Sequence, residues 1–321
     1  MGLNRSDRLR IRLMEFCANG VELLYYPLLY KKYEGLEKKE NVRYDGSVRR
    51  AAIDVYRKID DIATKKPLLF YIHGGGWVSG RRSVRRSYCK HWADMGYVAV
   101  TAGYDYARGE THRDFLRQIF AALAYVLDRA DEWGFDRNRV VVGGESAGGH
   151  LAAMIGAMTT HRELFDELGV DFSYKDTFKP SALLLLSGIY DPYRSIDTGF
   201  PFIKTYVSAF AGETYKKLKA HFDGDERRLT SPEFYADGDF PPSFIVASGM
   251  DRLLSESLSL YTKLKSSGVP CAYFVCKGIN GMHAASLDSV HGKYGKECFA
   301  RAVAFMQEAL EKSFSDGANA A

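Results

Sequence analysis

Ser146 stands in Gly144-Glu145-Ser146-Ala147-Gly148, a G-x-S-x-G arrangement between the apolar runs "RVVVGG" and "AGGHLAAMIGAM". A serine between a buried strand and an interior helix is lifted above the sheet when the turn joining them is tight. Such a turn demands small neighbours two positions either side. The first N–H groups of the helix, with its dipole, favour negative charge at the same spot. These residue types point to nucleophilic attack by Ser146 on a carbonyl. A plain glycine-rich turn accounts for the pentapeptide, but less well for its setting and for Gly148-Gly149.

Such an attack creates an oxyanion that must be held. A second stretch, His73-Gly74-Gly75-Gly76-Trp77, follows another apolar run, "PLLFYIH". Each glycine costs roughly 0.5–1 kcal/mol in a regular element, so a bare backbone must be needed there. Backbone N–H groups can then approach a carbonyl oxygen with no side chain between. Gly74 and Gly75 are expected to donate, together with the N–H of Ala147. A phosphate-cradling loop is the rival, but neither G-K-[ST] nor G-x-G-x-x-G accompanies the triplet.

Eight histidines compete for the role of base. Where nucleophile, acid and base follow in chain order, the base comes after the last strand. His283, in a loop past "CAYFVCKG", is preferred to His291, where the final helix begins. His73 belongs to the glycine motif, and His150 should point away from the serine. His91, His112, His161 and His221 fall on helices or an inserted segment, where surface placement is the default. The acid should leave a strand end between Ser146 and His283. Asp251, in "ASGMDRLLSES", is favoured on strand order. Asp191, in "SGIYDPY", is the rival, its Asp-Pro pair being equally good turn chemistry.

The elements that would position these residues alternate. "VRYDG" and "AAIDVYRK" read as short early strands after a polar, lysine-rich stretch at 31–40. "PLLFYIH", "YVAVTAGY", "RVVVGG", "ALLLLSGIY", "SFIVASG" and "CAYFVCKG" read as core strands. Between them, residues 112–133 are apolar with a 3.6-residue period behind a capping-box start at Thr111 and Asp114. A final helix carries Phe299, Ala302, Met306 and Leu310 on one face. Strands alternating with helices imply an α/β domain with a mostly parallel sheet covered on both faces. Residues 191–240 break the rhythm and read as a cap insertion. Residues 1–40 read as an N-terminal helical segment, and 41–190 with 241–321 as the body.

Of the 321 residues, 46% are hydrophobic and 26% charged, which suits a globular chain with a sizeable core. The net charge of +4 and the absence of RNA-binding or zinc-finger spacing argue against nucleic acid. Five cysteines without a C-x-x-C pair fit a reducing, cytoplasmic setting and no structural metal. No apolar run is long enough for stable membrane insertion. Arginines at 5, 8, 10 and 12 interrupt any secretory core, leaving an amphipathic helix as the plain reading of the terminus. The same terminus fits the loose M-G-x-x-x-S pattern for acylation at Gly2.

With these residues in hand the chain resembles the hormone-sensitive-lipase-like group of α/β-hydrolase esterases. The likeness rests on His73-Gly74-Gly75-Gly76, on Gly144 to Gly149, on Asp251 with Leu253, Glu256 and Tyr261, and on Gly281 to His283. It covers about residues 65–310. The resemblance implies an α/β-hydrolase fold with a helical cap. It also implies a serine carboxylesterase without metal or organic cofactor, using Ser146, Asp251 and His283. The sequence departs from the family at Arg252 and Ser255, at "YDYARGE", and at His150 in "SAGGHL". The last is also seen in kynurenine-formamidase-like and feruloyl-esterase-like hydrolases.

The expected substrate is a small-molecule ester with a small or medium acyl group, the protein acting alone or as a homodimer. Aromatics crowd the cap, and Trp77, Tyr190, Phe202 and Tyr206 are expected to wall an apolar pocket. Packing of the cap onto the body is the competing account. Arg81, Arg82, Arg85 and Arg86 read as a solvated helix face rather than an anion site. An amide or formamide hydrolase is the alternative activity. A ligand-binding protein on a retired hydrolase scaffold is the alternative from another class.

Overall fold

The computed structural model describes residues 5–59, 64–107 and 110–319. Its strands are β1 (Leu36–Arg43), β2 (Ala52–Lys58), β3 (Lys66–Ile72), β4 (Val98–Ala102), β5 (Phe135–Glu145), β6 (Ala182–Leu186), β7 (Ser243–Ser248) and β8 (Cys271–Cys276). They form one sheet in the order β1-β2-β4-β3-β5-β6-β7-β8. β2 pairs antiparallel with β1 and with β4, and the remaining pairs are parallel. The expected core strands are all present. The first strand is displaced: β1 starts at Leu36, inside the stretch read as a polar helical segment. It is an edge strand rich in lysine and glutamate, most of them half-buried in ion pairs, so its composition hid it.

The principal helices are α1 (Arg5–Leu29), α2 (Arg86–Asp94), α3 (His112–Leu127), α4 (Ala147–Thr160), α5 (Ile203–Ala211), α6 (Leu254–Ser266) and α7 (Lys293–Asn319). Alternation along the strands divides the core into two layers. Leu68, Phe70 and Ile72 of β3 face α3 and α4, whereas Leu69 and Tyr71 face Trp92 of α2 and Phe299 and Met306 of α7. α3 begins where expected, the Asp114 carboxylate accepting the N–H and the hydroxyl of Thr111.

Between β6 and β7 the chain leaves the sheet and returns through α5 and several short helical turns. Buried carboxylates anchor this excursion. Glu256 of α6, fully buried, accepts the N–H groups of Tyr190 and Asp191 and pairs with Arg194 Nε at 2.7 Å. Arg194 in turn clasps Glu233 through both terminal nitrogens at 2.9 and 2.6 Å. Asp191 pairs with Arg227 at 2.6 Å.

Candidate active site

The strand–turn–helix unit from β5 to α4 forces Ser146 to φ 54° and ψ −121°. A left-handed φ strains any residue but glycine, and it persists here because the surroundings leave no alternative. A Cβ on Gly148 would stand 2.1 Å from the carbonyl oxygen of Ile72. One on Gly144 would stand 2.4 Å from that of Gly148. Only glycine fits at either place, which is why the motif is spelled as it is.

The glycine triplet after β3 lies directly against this turn. A Cβ on Gly74 would come within 3.0 Å of the Ser146 Cβ. Gly75 and Gly76 follow with φ of 124° and 58°. One of the expected donors is already engaged within the protein. Gly74 N–H already donates to Glu145 Oε1 at 2.6 Å, so it is not available to an incoming oxygen. Among the described residues nothing accepts the N–H groups of Gly75, Gly76 or Ala147. Gly75, Gly76 and Ala147 thus present free N–H groups beside Ser146, whereas Gly74 does not.

Glu145 is fully buried, and an uncompensated carboxylate there would be costly. Arg85 Nε lies 2.5 Å from its Oε1. Apart from the exposed Arg81, the basic run is thus not a solvated face. Arg82 and Arg86 likewise surround the buried Asp54 of β2, with Arg86 Nε at 2.9 Å. Sequence reasoning passed over Glu145 and read Arg85 as part of a solvated face. Their signal was an acid inside the nucleophile motif and a cation just past the glycine loop.

His283 Nε2 lies 2.9 Å from Ser146 Oγ, and its Nδ1 lies 2.6 Å from Asp251 Oδ2. Asp251 Oδ1 accepts the N–H of Leu253 at 2.9 Å, which fixes the carboxylate plane. The three residues singled out for this chemistry are thereby brought together. The rivals are elsewhere: His291 pairs with Asp288, and Asp191 caps the helical turn Pro192–Ser195 and holds Arg227. His73 stacks on Tyr104 with centroids 4.6 Å apart, and burial pushes its pKa down to about 3, so it is a neutral brace. His150 points away from the serine, as expected, to the Thr230 carbonyl at 2.8 Å. His112, expected at the surface, is buried.

Above Ser146 is a cavity of about 140 Å³ bordered by Ile189, Phe200, Ile203 and Tyr206. Of the four expected wall residues only Tyr206 lies there. Its ring occupies the place a Cβ of Gly76 would take, 2.2 Å away. Trp77 is fully buried between His150 and Phe210, and Tyr190 is fully buried under the cap. Both pack the cap onto the body. Phe202 is 69% exposed, because its left-handed backbone at the start of α5 turns it outward. Phe200, two residues earlier, is the ring that meets His283, at 4.8 Å between centroids.

Residues 53–264 match the BD-FAE family model, well over half of the chain. The chain belongs to the BD-FAE family. It is 27% identical over 218 residues to a probable carboxylic ester hydrolase of Mycobacterium tuberculosis, LipM, covering 67% of this chain and 48% of LipM. An AB hydrolase superfamily protein of Schizosaccharomyces pombe is 28% identical over 229 residues, covering 66% of this chain and 62% of that protein. The BD-FAE chain thus spans about half to two thirds of these relatives. Esterase B of Lactobacillus rhamnosis, solved with a tributyrin phosphonate inhibitor, superposes with a TM-score of 0.83 at 19% identity. That superposition covers 99% of this chain and all of the other. The fold of this BD-FAE member is the α/β-hydrolase fold.

Proposed function

We propose that the protein is a serine carboxylesterase acting on esters of small acyl groups. The observation that carries this reading is the chain from Ser146 Oγ through His283 to Asp251, at 2.9 and 2.6 Å, beside three unengaged backbone amides. Ser146 Oγ attacks the ester carbonyl while His283 Nε2 takes its proton. Asp251 holds the imidazole tautomer and stabilises the imidazolium that forms. The N–H groups of Gly75, Gly76 and Ala147 receive the oxyanion. Collapse expels the alcohol, protonated by His283, and leaves an acyl-serine. Water, deprotonated by the same imidazole, then releases the acid and restores Ser146.

The small cavity supports a small acyl group, since it falls well short of the several hundred Å³ that drug-sized ligands occupy. The tributyrin-derived inhibitor of esterase B and the name of LipM support ester over amide. In this reading the body carries the triad and the insertion at 191–240 closes the acyl pocket. The test is turnover of p-nitrophenyl acetate, butyrate and octanoate by the wild type and by Ser146→Ala, with an N-formyl aromatic amine as comparator. The expectation is hydrolysis of the two short esters, lowered by about 10⁴-fold or more in the variant. Comparable rates in the variant, or preference for the formamide, would overturn the assignment.

A further inference from the structure

α1 has two unlike faces. Ile11 is 3% exposed in the core, and Glu15 is buried beside Arg50 at 3.8 Å. Away from them Leu9, Leu13 and Phe16 are 69%, 62% and 78% exposed. At about 100° per residue these three fall within an arc of about 60°. Arg5 and Arg12 border one side of that arc with Arg8 beyond them, and Arg10 lies on the other. Single exposed apolar residues are ordinary, but three large ones in helical register and edged by arginines are not.

We propose that this face of α1 docks the protein on an anionic phospholipid surface. The apolar stripe would enter the boundary between headgroups and acyl chains, and the guanidinium groups would meet headgroup phosphates. Charge complementarity favours this occupant over a second copy of the chain. Two such stripes placed face to face bring arginines against arginines, while Glu15 is already engaged with Arg50. The surface is also continuous with the site. Arg10 lies over the Tyr215 ring at 5.7 Å. Tyr215 and the exposed Phe202 border a groove that runs to Phe200 and Ile203 at the cavity. The groove leading to the cavity thus begins beside α1.

Binding is measured without turnover, so it is independent of the esterase reading. The full chain is sedimented with sucrose-loaded vesicles of phosphatidylcholine alone and of phosphatidylcholine with 30% phosphatidylglycerol. The wild type should sediment with the anionic vesicles and stay in solution with the neutral ones. The variant Leu9→Ser/Leu13→Ser/Phe16→Ser, the variant Arg5→Gln/Arg12→Gln, and 0.5 M NaCl should each lower the partition coefficient at least tenfold. Melting temperature and p-nitrophenyl acetate turnover of both variants should stay within error and within twofold of wild type. Should the triple variant fail to fold, Leu13→Ser and the arginine pair carry the test. A wild type that ignores anionic vesicles, or variants that bind as it does, would overturn the proposal. So would a dimer that the triple substitution splits without any vesicle binding, or capture of an acidic peptide in place of lipid.

Discussion

The serine turn and the cap are held by different means. Around Ser146 the constraint is backbone against backbone. Gly148 and Gly144 admit no Cβ, and Gly74 presses on the nucleophile itself. Around the cap the constraint is charge against charge, with Glu256, Arg194 and Glu233 in one chain and Asp191 with Arg227 in another. A site built from close backbone approach accepts one residue type at each critical place. A site built from ion pairs uses ordinary residues whose partners lie far along the chain.

The sharpest test of the first arrangement is His283→Ala, which should lower kcat/KM for p-nitrophenyl acetate by about 10⁴-fold. His291→Ala should leave it within twofold, and the opposite pattern would move the base. Next in size is Glu145→Gln, where the two arrangements meet. It removes the charge that balances Arg85 while keeping the acceptor for Gly74 N–H. The expected loss is about tenfold in kcat with KM little changed, since the donors lose alignment in the transition state rather than in binding. An unchanged kcat would show that the loop holds its shape unaided.

On the cap side, Tyr206→Ala should raise the rate on p-nitrophenyl octanoate relative to acetate by about tenfold. An unaltered ratio would mean that α5 does not bound the acyl group. The smallest effect is on stability. Burial holds His73 near 3 and His150 near 4, below the ordinary 6.5. Between those values and 6.5 the unfolded chain takes up protons that the folded one does not, so stability falls as pH falls. The melting temperature should drop by about 3 °C from pH 6.5 to 5.5, and a flat profile would count against both buried positions.

The same contrast explains what the sequence made legible. The tight turn and the glycine loop were readable because glycine has few reasons to recur in such settings, and chain order pointed to the Asp251 and His283 that the structure brings to Ser146. The core strands were readable from their apolar runs. The cap lining was not. Aromatic composition marks burial, yet it does not separate Trp77 and Tyr190, which pack, from Phe200 and Tyr206, which face the cavity. That distinction is set by tertiary neighbours, His150 and Phe210 around Trp77 and His283 beside Phe200, which carry no compositional signal. The engagement of the Gly74 N–H was equally hidden. It turns on a hydrogen bond to Glu145, whose carboxylate reaches back from another strand. β1 was obscured by the charged residues that protect an edge.

The ring of Tyr206 stands where residue 76 would otherwise carry a methyl group. Positions 76 and 206 are therefore one coordinate in the evolution of this protein. An alanine at the first is shut out twice, by the ring at the second and by its own left-handed backbone at φ 58°, and shrinking the second lifts only one of these barriers. Space beside the glycine loop can therefore be opened from position 206 but not from position 76.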